Sequence, residues 1–581
     1  MDMKDKKEFY SLLAELDGQP HSEYEQLVGD FDFNRYVIKC SNIDLESTET
    51  ENPVFSIRIP QTIAEIPEYL FDSPVRRTAM EDLLLRRLSS NIEAVANYDH
   101  NGIARRHIHV AAPNQKILPR NALLLTTEYI EVYIQVTLPV QHVIIDGEPV
   151  VSVDGEMAQH IFFDDLPEIV SNSLLYCNID AAAADQFVNN MEDADRLRQH
   201  LGASGQVSFI AEGALVTRMA GDDLPDYEHL APVEVEEDLA EEVEVPHSGA
   251  VRGIGIPNGL TLVLGESSSG RIELMDAIAQ GIYNHIPGDG RERVVTVADA
   301  VNIRAEVGRS IQQVDISAFA SELPDGGNPA SYSTHSAGSF TSQAASSVEA
   351  LEAGARVLVF DEHTSSSTFL SEDTRVSPLL GESSRNTLAA RARQMVDELG
   401  ISMIVAGSSL VAEFIPIADK ILKVEDFRIT DITEDAKALD IIPSTVANDN
   451  VNLSSMLSRS RWAMPSSIDP SIGREDLVIH TEDADFLQFG RSLIDLEAVN
   501  QIAAADQTRA IGFVLYYAKL RYMDEGYSIR EILDLVDRDL SNEGLNTLAR
   551  DLRGDLARPR RYEVAATLNR LPSFRVSHVT E

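Results

Sequence analysis

Hydrophobic and polar positions in the first half of the chain alternate between helical and strand spacing. Apolar residues recur at helical intervals at 10–16 and at 75–94, and the second segment predicts an amphipathic helix. The segment 122–138 alternates and is rich in β-branched residues, which predicts a pair of strands. A run of aspartate and glutamate with three prolines follows at 221–246 and predicts an exposed acidic connector.

The pattern changes after 250, where short apolar runs alternate with helical segments. Alternation of this kind predicts a parallel sheet covered by helices, the arrangement of an α/β fold. From about 430 onward the spacing is mainly helical, and Ser528 with Glu531 has the spacing of a capping box. The apolar runs lie at 260–264, 294–297, 357–360, 401–406 and 421–424. We therefore predict an N-terminal α/β domain at 1–245, an α/β core at 246–430 and a mainly helical domain at 431–581.

The composition is strongly acidic. The 581 residues include 94 acidic and 48 basic side chains, for a net charge of −46. Only nine residues are lysine, a bias typical of proteins from a salty cytoplasm, although an ordinary acidic protein can show it too. Two cysteines, Cys40 and Cys177, are too few for a disulfide framework and fit a reducing cytosol. No apolar run reaches the roughly 18–20 residues of a membrane helix, so we expect a cytoplasmic protein without a membrane partner.

The most informative motif follows the apolar run 260–264. Two glycines five residues apart bound a short polar loop that leads into a helical pattern. A strand, a glycine-bounded loop and a helix start form the frame in which backbone amides hold a phosphate, although a turn without a ligand has the same pattern. The candidate binding residues are Gly265, Ser267, Ser268, Ser269, Gly270 and Arg271.

The side chains of this loop depart from the usual phosphate-binding set. Arg271 stands where the motif has lysine, and it keeps the charge on a bulkier, planar group. Ile272 stands where a serine or threonine would bind Mg²⁺. Glu266 and Glu273 bring carboxylates to a place where phosphates would lie, and like charges about 4 Å apart repel by roughly 4 kcal/mol at an effective dielectric of 20.

Two carboxylates end the apolar run 357–360. In P-loop ATPases the aspartate after such a strand holds Mg²⁺, and the next glutamate orients or deprotonates the attacking water. Asp361 is therefore a candidate Mg²⁺ ligand, and Asp361 and Glu362 are candidate catalytic residues. A solvated pair of acids at a strand end is the alternative in so acidic a chain.

A Gly/Ser-rich turn between these two motifs precedes a helical pattern at 344–353. Such a turn offers amides and hydroxyls to an anion, or it only caps the helix. ABC-type ATPases use a segment of this kind to bind the γ-phosphate held by the opposite subunit, which requires two chains packed head to tail. The candidate residues are Gly338, Ser339, Thr341, Ser342 and Gln343.

Several further segments resemble the predicted ATPases of the ABC class. The longest is 281–292, Gly-Ile-Tyr-Asn-His-Ile-Pro-Gly-Asp-Gly-Arg-Glu, which is followed by Val-Val-Thr at 294–296. Shorter matches lie at 303–306 with 308–309, 314–317, 341–345 with 349–352, 361–362 with 364–365, 58–60, 70–71, 211–214, 253–257 and 559–561. The resemblance spans nearly the whole chain. It implies an N-terminal α/β domain, an ABC-type P-loop core that uses ATP and Mg²⁺, and a helical C-terminal domain.

Departures from the family pattern leave three hypotheses about function. The family loop resembles Gly-Gly-Gly-aromatic-His-Gly-Lys-Ser-Thr-Leu-Leu, whereas 265–275 lacks the lysine, both hydroxyls and the histidine. The first hypothesis is a degenerate ATPase that binds nucleotide with weak or absent hydrolysis. The second is a non-enzymatic assembly or RNA-binding protein that has lost nucleotide binding, and the third is an active ATPase.

The expected partner is a second copy of the chain or a related ABC-class subunit. RNA is the other candidate partner, because arginines cluster at 76–87 and at 553–570 and could contact phosphates. The same arginines could instead pair with the protein's own carboxylates, which the acidic composition favours.

Overall fold

The computed structural model describes residues 3–43, 52–100, 103–145, 148–323, 326–372, 385–441, 451–458, 460–523 and 526–577. The chain forms two compact units. The first comprises Met1–Met191 and Glu543–Arg558, and the second comprises Glu192–Asn542 and Pro559–Glu581. These units divide the chain differently from the three predicted domains, whose boundaries stay a prediction.

A seven-stranded sheet organises the first unit. Its longest strands, Val54–Pro60 and Tyr129–Val136, are antiparallel and place Ile57 opposite Val132, both fully buried. The predicted strand pair is confirmed, because Leu123–Leu125 runs antiparallel to Tyr129–Val136. The other strands of this sheet are Lys4–Asp5, Gly29–Asp32, Val37–Cys40 and Ile108–His109.

The predicted amphipathic helix of the first unit is confirmed as Pro74–Val95. The hydroxyl of Ser73 caps it by accepting a hydrogen bond from the N–H of Arg76 at 3.2 Å, and proline occupies the first helical position, where no N–H is needed. This helix packs against the helix Leu166–Leu174. The remaining elements before the second unit are the helices Lys6–Leu16, Gln61–Ala64 and Gly155–His160 and the strands Asn97–His100, Ile103–Arg106, Lys116–Ile117, Val140–Ile145 and Glu148–Val153.

A second seven-stranded sheet carries the candidate site. Its strands, in spatial order, are Glu234–Val235, Arg428–Asp431, Lys420–Glu425, Leu260–Leu264, Ser402–Gly407, Val357–Asp361 and Ala300–Asn302. The last five run parallel, as predicted from four of the apolar runs. Leu260–Leu264 is central, and Leu260 and Leu262 are fully buried. Because parallel strands end at one edge of the sheet, Gly265, Asp361 and Gly407 meet there.

The apolar run 294–297 does not join the parallel sheet, and this part of the prediction is wrong. Val294–Thr296 instead pairs antiparallel with Gln206–Ala211 in a four-stranded sheet that also contains Gly249–Pro257 and Glu241–Val245. The edge of the parallel sheet is formed by Ala300–Asn302, a three-residue strand too short for an alternating pattern to reveal.

The chain beyond 430 is helical only in part. Ile479–His480, Phe486–Phe489 and Ser492–Asp495 form a three-stranded antiparallel sheet between the helices. The predicted capping box is confirmed, since the N–H of Ser528 donates to Oε2 of Glu531 at 2.8 Å and the N–H of Glu531 donates to the Ser528 hydroxyl at 3.4 Å.

The other helices are Ala181–Ser204, which belongs partly to each unit, and Arg271–Gln280, Ser339–Glu352, Ser367–Leu370, Leu388–Leu399, Thr433–Lys437, Leu453–Ser458, Ala505–Arg521, Ile529–Glu543 and Arg561–Arg570. The other strands are Asn284–His285, Ile311–Val314, Tyr332–Thr334, Trp462–Ala463 and Val576–Ser577. Within the described ranges, no helix combines the length and apolar character that crossing a bilayer requires.

Glu81, on the helix Pro74–Val95, makes the stability of the first unit depend on pH. Burial raises the pKa of its carboxyl from 4.5 to about 7, and the N–H of Leu125, which donates to it at 2.9 Å, only partly opposes this. A raised pKa in the folded state means that stability is lost as pH rises from about 4.5 towards 7. Glu81→Gln keeps an acceptor without titrating, so it should stabilise the protein by about 1–3 kcal/mol near pH 8 and change little near pH 4.

Urea unfolding at both pH values measures this effect. Glu128→Gln, at an exposed position, is the matched control and should leave the pH profile of the free energy of unfolding unchanged. A Glu81→Gln profile parallel to that of the parent protein would contradict the assignment.

Candidate functional site

A short loop joins the central strand Leu260–Leu264 to the helix Arg271–Gln280. The loop starts at Gly265 and ends at Gly270, which is the N-cap of the helix and has φ of +85°. Glycine is required at 270 because the backbone is left-handed and because a Cβ there would lie 2.5 Å from the ring of Phe427. The predicted frame of strand, glycine-bounded loop and helix start is therefore confirmed.

The side chain of Arg271 turns back across this loop and is only 1% exposed. Its Nε donates to the carbonyl oxygen of Gly265 at 2.9 Å, and its Nη1 donates to Oδ2 of Asp361 at 2.6 Å. The planar guanidinium can serve both acceptors at once, which an ammonium on a flexible stem does less well. One side chain thus ties the start of the loop to the carboxylate that ends the strand Val357–Asp361.

Both carboxylate oxygens of Asp361 have hydrogen-bond partners. Oδ2 receives Arg271, and Oδ1 accepts the N–H of His363 at 2.7 Å. Only 11% of this side chain is exposed. The buried cation neutralises part of the charge that would attract a metal ion, but each carboxylate oxygen keeps a second lone pair. The metal role of Asp361 therefore stays a prediction.

The three serines of the loop differ in their surroundings. Ser267 and Ser268 are exposed, so their hydroxyls can reach a ligand from solvent. Ser269 is buried, and its hydroxyl donates to the carbonyl oxygen of Glu266 at 2.7 Å. Its side chain stabilises the turn and is not directed to an external anion.

The first turn of the helix lacks the usual metal ligand. Ile272 has no atom that binds a cation, and Glu273 has a buried carboxylate oxygen, Oε2, without a hydrogen-bond partner. Among the described residues, no group of three or more His, Cys, Asp or Glu side chains is arranged to hold a metal ion. Phosphate binding through the main chain and Arg271 stays a prediction, and the side chains of the first helical turn do not fit the Mg²⁺ that usually accompanies a nucleotide.

Glu362 is held in one orientation by the end of the neighbouring strand, Ser402–Gly407. The N–H of Ser408 donates to Oε2 at 2.6 Å, and the Ser408 hydroxyl donates to Oε1 at 3.0 Å. Gly407 makes room for this contact, since a Cβ there would lie 2.5 Å from the same Oε2. The structure therefore brings Glu362 to the sheet edge where the loop and Asp361 lie, and its catalytic role stays a prediction.

Models of known protein families match three segments of the chain. A model described as the P-loop domain of the ABC ATPases matches residues 180–459, and a model of the N-terminal region of ATPases of the ABC class matches residues 6–177. This chain belongs to the ABC-class ATPases. The α/β P-loop fold expected from the resemblance is therefore confirmed for this ABC-class ATPase. A third model, described as the MRB1590 C-terminal domain, matches residues 478–577.

One curated relative of this ABC-class ATPase comes from Methanocaldococcus jannaschii and carries the name Uncharacterized protein MJ1628. The two sequences are 27% identical over 266 residues, which is 43% of this chain and 56% of the relative. The chain thus spans about half the length of this relative.

The Gly/Ser-rich segment of this ABC-class ATPase contains two kinds of residue. Ser342 and Gln343 are fully buried. The Ser342 hydroxyl donates to the carbonyl oxygen of Glu306 at 2.6 Å, and the Gln343 amide donates to the Ser365 hydroxyl at 2.8 Å and accepts the N–H of Ser366 at 2.8 Å. These side chains join the helix Ser339–Glu352 to adjacent loops, and a direct role in ligand binding stays a prediction.

Gly338, Ser339 and Thr341 lie nearer the surface. Gly338 is exposed and is the N-cap of the helix. As a glycine it has no side chain that could accept a hydrogen bond from the first helical N–H groups. Thr341 donates from its hydroxyl to the carbonyl oxygen of Gly338 at 3.2 Å, and the Ser339 hydroxyl lies 3.3 Å from that of Ser366. These three residues stay the accessible part of the predicted segment.

Sequence reasoning missed Phe427, which packs over the phosphate loop. Its N–H donates to the carbonyl oxygen of Ser269 at 2.9 Å, and its ring covers Gly270. Phe427 lies in a hairpin turn in which Asp426 and Phe427 have φ of 49° and 63°. An Asp-Phe pair is not one of the dipeptides that announce such a turn, so the sequence offered no local signal.

Six of the arginines considered for RNA binding make intramolecular ion pairs. This favours the alternative, in which the arginine clusters pair with the protein's own carboxylates. The pairs are Arg76–Asp72, Arg86–Asp82, Arg553–Asp555, Arg560–Glu563, Arg561–Asp534 and Arg570–Glu306. Contact with RNA stays a prediction.

Adding one methyl group at Gly407 tests the packing that orients Glu362. In Gly407→Ala the new Cβ would lie 2.5 Å from the Glu362 carboxylate and 2.7 Å from Cγ1 of Val411. Because both neighbours are packed, we expect a loss of about 1–3 kcal/mol in the free energy of unfolding. Gly202→Ala is the matched control, since no atom lies within 4 Å of its Cβ and alanine favours a helix by about 1 kcal/mol. Equal stability of the two variants would contradict close packing at Gly407.

Proposed function

We propose that this chain binds nucleotide through its phosphate loop and hydrolyses it weakly or not at all. The observation that carries the proposal is the buried Arg271–Asp361 pair, with 2.6 Å between Nη1 and Oδ2. The pair keeps a cation inside the loop, which favours an anion there. The same pair engages the carboxylate on which hydrolysis by P-loop ATPases depends.

Nucleotide binding on this account is an exchange of partners. A phosphate that enters the loop meets backbone amides at a helix start and competes with Asp361 for the Arg271 guanidinium. Because the guanidinium exchanges one anion for another, Arg271 need not be left unpaired. The affinity is reduced by the free energy needed to separate a buried pair.

We attribute weak hydrolysis to the residues in the first turn of the helix after the loop. Ile272 supplies no metal ligand, and Glu273 adds negative charge at the helix start. Glu362 is positioned by Ser408, so the candidate base is retained. We therefore assign the defect to the loss of the metal ligands and not to the loss of Glu362.

A non-enzymatic assembly protein is the second candidate function. The unpartnered Oε2 of Glu273 favours it, because a buried carboxylate is easier to keep in a site that receives no phosphate. Either function is compatible with a head-to-tail pair of identical or related subunits, in which the exposed Gly338 and the half-buried Thr341 would face the partner's loop. Cys40 and Cys177 are both free thiols, which suits the cytoplasm that we propose as the location.

Restoring the standard loop chemistry is the experiment that tests the proposal. In the triple variant Arg271→Lys, Ile272→Ser and Glu273→Thr, affinity for Mg-ATP in isothermal titration calorimetry should rise by at least about tenfold over the parent. Arg530→Lys, at an exposed position, is the control for the arginine replacement and should leave affinity unchanged.

The parent protein distinguishes the hypotheses. Saturable heat with Mg-ATP and negligible turnover supports the degenerate ATPase. Absence of heat in the parent and in the triple variant supports the assembly protein. Turnover at ordinary ATPase rates that Glu362→Gln abolishes would show an active enzyme and overturn the proposal.

A further inference from the structure

Residues 219–230 of the second unit expose a group of large apolar side chains. These side chains, which are between 43% and 65% exposed, are Met219, Leu224, Tyr227 and Leu230. Elsewhere in the described ranges, no stretch of the same length has more than two exposed large apolar side chains. Single apolar residues on a surface are ordinary, whereas a group of them indicates a surface that another molecule covers.

Backbone hydrogen bonds hold this segment as a hairpin. Arg218 pairs antiparallel with Pro225, and the N–H of Met219 donates to the carbonyl oxygen of Leu224 at 3.0 Å. Residues that lie opposite each other in an antiparallel pair have their side chains on the same side, so the side chains of Met219 and Leu224 are neighbours. We call residues 217–230 the apolar hairpin.

The apolar hairpin is attached to the chain that follows the helix of the phosphate loop. The side chain of Arg218 is only 10% exposed, and its Nη2 donates to Oδ2 of the buried Asp289 at 2.6 Å. The hydroxyl of Tyr227 donates to the carbonyl oxygen of Gly288 at 3.4 Å. The apolar side chains are therefore presented on a fixed backbone, which reduces the loss of conformational freedom when a partner binds.

The charges of the apolar hairpin indicate the kind of partner. Its acidic residues are Asp222, Asp223, Asp226 and Glu228. Arg218 is its only lysine or arginine, and Asp289 already pairs with it. Because Asp222 and Glu228 are exposed, lysine or arginine on a partner would meet opposite charges beside the apolar side chains.

Two other occupants fit these charges less well. A second copy of the chain has a net charge of −46, so it would be repelled at an acidic surface. The phosphates of RNA would meet the same exposed carboxylates. A basic protein segment is therefore the occupant that the charges favour.

We propose that the apolar hairpin is a docking surface for another protein, which binds through a segment that combines lysine or arginine with large apolar side chains. The apolar side chains of the partner pack against Met219 and Leu224, and its cations pair with Asp222 and Glu228. The surface is separate from the phosphate loop, so this proposal does not rest on the proposed function.

Binding of a labelled peptide to the full chain, measured by fluorescence anisotropy at about 0.15 M salt, tests the proposal. The probe is an amphipathic peptide of leucine and lysine at helical spacing, and it should bind with a Kd below about 100 μM. Glutamate replaces lysine in one control peptide, and serine replaces leucine in another. Each control peptide should bind at least about tenfold more weakly than the probe.

A double variant locates the apolar contact. Met219→Ser with Leu224→Ser should weaken binding of the probe about tenfold, because the apolar area that the probe covers is lost. Phe486→Ser with Leu493→Ser is the matched control, since both side chains are exposed elsewhere in the second unit, and it should bind as the parent does.

A second double variant tests the charges and keeps the apolar side chains. Asp222→Asn with Glu228→Gln should weaken binding about threefold and make it less dependent on salt. Asp551→Asn with Glu128→Gln, at exposed positions of the first unit, is the matched control and should leave binding unchanged.

Thermal unfolding checks that the variants fold, since replacing exposed side chains should leave the melting temperature close to that of the parent. The proposal is overturned if the probe does not bind, if the glutamate peptide binds as tightly, or if the Met219 and Leu224 variant binds the probe as the parent does. It is also overturned if this variant loses self-association in sedimentation or affinity for single-stranded RNA, because a second copy or RNA would then be the occupant.

Discussion

The buried ion pair between Arg271 and Asp361 is the interaction on which the candidate site depends. It joins the loop after the central strand to the end of a strand two positions away in the sheet. Removing one member of such a pair costs about 3–5 kcal/mol, because the other charge stays buried and unpaired. In the function that we propose, an anion that enters the loop replaces Asp361 as the partner of Arg271, and this exchange would link binding at the loop to the state of the carboxylate.

The fold accommodates this altered chemistry because the sheet core does not depend on the ligands of the loop. Leu260, Leu262 and Phe360 are fully buried, and their apolar side chains have no atom that could bind a ligand of the loop. The loop also still requires glycine at position 265, because there is no room for a side chain. A Cβ at Gly265 would lie 2.6 Å from the Ser269 hydroxyl and 2.8 Å from the carbonyl oxygen of Val424. The backbone conformation of such a loop can thus be kept when its polar side chains are replaced.

Local patterns predicted the frame of this site, and long-range contacts decided its chemistry. The apolar run before Gly265 and the run before Asp361 placed both residues correctly at strand ends. The direction of the Arg271 side chain depends on an acceptor 90 residues away, and no periodicity carries that information. The same holds for Phe427, whose turn has no dipeptide signal, and for Val294–Thr296, whose apolar run fits a parallel or an antiparallel sheet equally well. The burial of Ser342 and Gln343 could not be predicted from the sequence either, because polar residues at a helix start more often face solvent.

A double-mutant cycle on Arg271 and Asp361 measures the central interaction most directly. The free energy of unfolding is determined for the parent, Arg271→Met, Asp361→Asn and the double variant. If the pair holds the site together, the double variant loses at least about 1 kcal/mol less stability than the sum of the single losses. Single losses that add to within about 0.5 kcal/mol would mean that the two side chains do not interact, and the account of the loop would fail.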